Sequence, residues 1–99
     1  MKVIKEYVDL ISEEIDDAKN YAEKYLYCKS MNDIKSAKYY MDMAADELRH
    51  ADHLHEMAIA QIENLRKVYT PPAEMEDVWS RSHTNFVEKT AWVKQMLAM

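Results

Sequence analysis

The sequence predicts an all-α fold, an antiparallel helical hairpin followed by a C-terminal third helix. Three observations predict it. Glycine is absent, although sheets and tight hairpins depend on glycine turns. The only two prolines, Pro71 and Pro72, are adjacent and mark one break. Between the breaks, apolar residues recur three and four positions apart.

The first helix is read over about residues 3–28, on the stripe Ile4, Tyr7, Val8, Ile11, Ile15, Ala18, Tyr21, Ala22 and Tyr25. The segment Lys29-Ser30-Met31-Asn32-Asp33 loses that pattern and supplies caps. Ser30 with Asp33 resembles a capping box, and Asn32 is a rival cap. So short a connection predicts that the next helix returns antiparallel.

The second helix is read over about 33–69, with the stripe Tyr40, Met43, Ala44, Ala51, Leu54, Met57, Ala58, Leu65 and Val68. At 1.5 Å per residue it is roughly 50 Å long, enough to outreach the first and pack on the third or on a neighbouring subunit. Pro71-Pro72 ends it, and Pro72 can open the third helix, read over about 73–98. Glu74, Glu76 and Asp77 suit the positive end of its dipole. Its apolar residues are Met75, Val78, Trp79, Phe86, Val93, Met96 and Leu97. Residues Met75 to Met99 are expected to act as an oligomer arm rather than to complete a bundle.

A chain of 99 residues is expected to be one domain, 1–99. A domain of this size buries only ~60–65% of its unfolded surface, so oligomerisation is the expected way to complete its core. The net charge of −5 argues against nucleic acid as a partner. No run of about 18 apolar residues exists, so no membrane partner is expected. Lys2, Lys5, Glu6 and Asp9 interrupt any secretory signal, and Cys28 is the sole cysteine, which fits a reducing, cytoplasmic setting.

Polar residues inside the apolar stripes are the informative ones. Tyr7, Glu14 and Tyr21 form one sevenfold series beside Ile4, Ile11, Ala18 and Tyr25, so Glu14 faces the seam while Glu13 faces solvent. On the second helix, Tyr40, Glu47, Leu54, Gln61 and Val68 pair with Met43, His50 and Met57. Glu47 and His50 are thus placed on the seam, one turn apart. Buried carboxylates are costly unless paired or bound to a cation. Carboxylates with an imidazole suit iron, manganese or zinc. Glu-x-x-His alone is weak, because ten glutamates and four histidines give about 0.4 such pairs by chance. The seam register, a glutamate on the neighbouring helix, and Tyr21 and Tyr40 one heptad from the carboxylates strengthen it. The tyrosines are expected to donate hydrogen bonds to the ligands.

The stretch from Ala44 to Leu54, with Glu47 and His50, resembles the second ligand helix of ferritin-like di-iron proteins. Glu14 through Tyr21 resembles the first. The similarity covers roughly residues 3–68 and extends to the short encapsulated ferritins, which build their site across a subunit interface. It implies Glu14, Glu47 and His50 as metal ligands and catalytic residues. It also implies two irons per pair of subunits, oxidation of Fe(II) by oxygen or peroxide, and a homo-oligomer. The third helix carries no second Glu-x-x-His, so each chain holds half a site.

Other readings stand beside this one. The three polar residues can form a metal-free network that fixes register in an assembly protein, or a structural metal site that holds a dimer. Asp46, Asp52, His53 and His55 are read as a solvated face, with Asp17 and His53 as a secondary cation site. His83 is read as a half-buried packing residue. Trp79 and Trp92 are expected between helices or subunits. The eight methionines are read as adaptable core filler.

Overall fold

A computed structural model describes residues 2–99. It contains three helices, α1 (Lys2–Ser30), α2 (Ile34–Val68) and α3 (Ala73–Leu97), with no strand among the described residues. The all-α reading holds, and the boundaries lie within two residues of expectation.

The turn between α1 and α2 shows how a glycine-free chain reverses. Asn32 takes the left-handed conformation (φ 58°) that asparagine tolerates better than most residues. Its N–H donates to Lys29 O at 3.1 Å, and the Asp33 N–H donates to Cys28 O at 2.9 Å. This is the Schellman pattern, which satisfies the last carbonyls of α1. Asp33 is also the N-cap of α2, its side chain accepting from the Ser36 N–H. Ser30, expected as part of a capping box, instead belongs to α1 and donates to Tyr27 O.

The α1–α2 seam differs from the sequence reading on one side. α1 buries Ile4, Ile11, Ile15, Ala18, Ala22 and Tyr25, as predicted. α2 buries Ala37, Ala44, Leu48, Ala51, His55, Ala58 and Ile62. Only Ala44, Ala51 and Ala58 of the predicted stripe are buried, while Met57 and Val68 are exposed. The reason is steric. Alanines on both helices let the backbones approach closely, and larger residues are turned to the flanks.

α3 packs within the same chain, mainly along α1, and is not a free arm. Phe86, Val93 and Met96 join the core cluster of Ile11, Ile15 and Ala51. Met75 packs at the far end against Ile4 and Ile62, while the last turn of α2 stays exposed at Lys67 and Val68. Arg66 of α2 grips Glu76 of α3 (Nε to Oε1 3.0 Å), and Lys89 of α3 reaches Asp16 of α1 at 2.8 Å. Lys19 of α1 lies 4.5 Å over the half-exposed Trp92 ring. At 100° per residue, Asp16 and Lys19 lie about 140–200° around α1 from Glu14. α3 therefore covers one side of the hairpin and leaves the Glu14 side open.

Candidate metal centre

Glu14 sits midway along α1, and Glu47 and His50 sit one turn apart on the facing stretch of α2. One ligand atom from each lies within 4.8 Å of the others. His50 Nδ1 is 3.7 Å from a Glu14 oxygen and 3.9 Å from a Glu47 oxygen. It is the only cluster of three such groups among the described residues. The fold thus brings together the three residues that the sequence singles out.

Their exposure is graded. The Glu47 side chain is 16% exposed, Glu14 26% and His50 52%. His50 therefore lies at the open flank of the seam, not inside it as expected. The flank is a groove lined by Glu14, Arg49, His50, His53 and Leu54. Half-buried Tyr7 and Leu54 and exposed Leu10 and Met57 extend the same face.

The electrostatics are those of crowded carboxylates. The Glu47 carboxyl is pushed up to about 7. A hydrogen bond shared with Glu14 is the main cause, followed by burial and by the charges of Glu14, Asp17 and Asp46. Two carboxylates this close resist joint ionisation unless a cation or proton lies between them. A divalent cation fits this donor set, since hard oxygens with one imidazole suit iron, manganese or zinc.

Several neighbours depart from the sequence reading. Tyr21 and Tyr40 stack on each other (centroids 6.2 Å apart) beneath Lys24, and neither donates to Glu14 or Glu47. Asp46, by contrast, pairs with Arg49 at 2.9 Å on a solvent-accessible face, in agreement with that reading. Asp17 and His53 join no ligand cluster, although Asp17 adds to the field on Glu47.

The clearest correction is His55, which is buried rather than solvated. It stacks on Phe86 at 4.2 Å and on Trp79 at 5.3 Å, and its Nε2 lies 2.9 Å from His83 Nδ1. Desolvation and the neighbouring His83 hold its pKa below the ordinary histidine value. The series Leu48, His55, Ile62, seven residues apart, is the signal that identifies it.

Compared with known protein families, curated proteins and solved structures, the chain matches none.

Proposed function

We propose that the protein is a ferritin-like iron-binding protein that oxidises Fe(II) at a two-metal site completed between two copies of the chain. One observation carries the reading: Glu14, Glu47 and His50 converge within 4.8 Å on the side of the hairpin that α3 leaves uncovered. Three donors are too few for a closed iron site, and an open flank lets a second copy supply three more. The raised Glu47 pKa supports it, because a cation between the carboxylates relieves their opposition.

In this reading Glu14 and Glu47 supply oxygen donors and His50 a nitrogen donor. Two Fe(II) ions give up two electrons, which with two protons reduce O2 to peroxide or peroxide to two waters. Arg49 and His53 flank the groove and set its charge and access for the oxidant.

A metal-free network is the competing reading, favoured by the 3.7 and 3.9 Å approaches of His50 to the two carboxylates. Purified protein titrated anaerobically with Fe(II), then exposed to oxidant, separates the two. We expect about one iron bound per chain, oxidised on exposure, and lost in Glu47→Ala and His50→Ala. Absence of bound iron, with Glu14→Ala as stable as wild type, would overturn the metal site. Full loading without oxidation would assign a structural site.

A further inference from the structure

The tip of the hairpin has a composition the fold does not require. Tyr27, Met31, Ile34 and Tyr39 are between 58% and 66% exposed there. A three-residue turn between helices is ordinarily polar, and apolar side chains held in water at a tip stabilise nothing within the chain. Interleaved with them are Lys24, Lys29, Lys35 and Lys38, all exposed; Lys29 also donates to Met99 O and Lys38 pairs with Asp42 at 3.0 Å. Residues 24–40 carry four lysines against the single Asp33, net +3, in a chain of net charge −5. The rest of the molecule therefore carries −8, and the tip carries a local positive excess beside its apolar side chains.

All of these residues lie within about 9 Å, along the helix axis, of the turn. The molecule is a rod of 55 × 18 × 17 Å, and this is one of its narrow ends. Exposed apolar side chains set among lysines at such an end match an anionic surface with an apolar interior. Methionine and isoleucine enter the acyl boundary, tyrosine rings sit at the headgroup level, and lysines meet the anionic charge. No helix of the described residues is long and apolar enough to cross a membrane, so the contact is peripheral.

We infer that the α1–α2 tip is a docking surface for an anionic lipid bilayer, through which the rod stands end-on to the membrane. The sequence reading of no membrane partner rested on the absence of a span; exposure of the tip residues is what changes it. The inference is independent of the metal reading, because the Glu14–His50 site lies about 20–24 Å along the rod from the tip.

Flotation with vesicles of phosphatidylcholine, with and without 30% phosphatidylserine, tests it on the full chain. We expect the protein to float with the anionic vesicles and to be released at high salt. Lys29→Glu with Lys35→Glu should weaken partitioning at least about tenfold. Met31→Ser with Ile34→Ser should weaken it at unchanged charge. Met31, Ile34 and Lys35 are exposed, whereas Lys29 donates to Met99 O, so unchanged helicity and melting of the variants are required to confirm intact folds. No flotation with anionic vesicles would overturn the inference, as would flotation unaffected by Lys29→Glu with Lys35→Glu. Binding to single-stranded DNA as strong as to vesicles, insensitive to Met31→Ser with Ile34→Ser, would replace it with a nucleic-acid surface.

Discussion

Glu47 and His55 give the metal-free protein two opposed pH dependences. The Glu47 carboxyl titrates near 7 in the fold and near 4.5 when unfolded, so the folded state holds its proton more tightly. That contribution is fully present below pH 4.5 and is lost as pH rises through about 7. His55 has the opposite sign. Its pKa is lowered from 6.5, so its contribution is present above that value and is lost as pH falls through its folded pKa. The two windows overlap below 6.5, where His55 offsets part of the Glu47 loss, so melting temperatures of the metal-free protein should fall as pH rises through about 7. Glu47→Gln should abolish that fall, and His55→Gln should steepen it below 6.5. An equal fall in wild type and Glu47→Gln would show that the carboxylates do not oppose each other. The two residues also differ in how they read from sequence. Glu14 and Glu47 are conspicuous because each interrupts an apolar series. His55 hides because its neighbours on the buried face are mostly alanines, and the bulkier Met43, Leu54 and Met57 draw the stripe toward the wrong flank.

The hairpin depends on small residues at the level of its elements. Ala18 and Ala22 on α1, and Ala44, Ala51 and Ala58 on α2, are fully buried. Close approach of the helices is what brings Glu14 to the Glu47–His50 turn. Ala51→Leu should overpack the seam, destabilise the protein by roughly 1–3 kcal/mol, and weaken metal binding by spreading the ligands. Denaturant unfolding and metal titration check the two effects. A variant that keeps full stability and affinity would show that the spacing is not set there. The helix count, the antiparallel return and the α1 stripe are legible because they rest on periodicity and on the proline break. The docking of α3 is not, because its apolar residues fit a neighbouring subunit as well as its own chain. What decides it is the packing of Phe86, Val93 and Met96 against Ile11, Ile15 and Ala51, residues far apart in sequence that no local pattern brings together.

The whole molecule is more exposed than a finished domain of its mass. Its radius of gyration is 16.0 Å, against about 13 Å for a compact chain of this length. Its accessible surface is 6519 Å², against roughly 5,900 Å² for a typical monomer of its mass. Much of the excess belongs to a rod with one side covered by α3 and the other open at Tyr7, Leu10, Leu54 and Met57. A second hairpin on that side buries those residues and brings two Glu14–Glu47–His50 sets together. Leu10→Arg with Met57→Arg places charge on the face without touching a ligand or the core. The most direct measurement is bound iron per chain and solution mass, determined on the same sample for wild type and this double variant. A site shared between two chains gives about one iron per chain in wild-type species with an even number of chains, and folded monomers of the variant with little or no iron. A monomeric variant that keeps its full complement of iron, or a wild-type dimer that binds none, would contradict it.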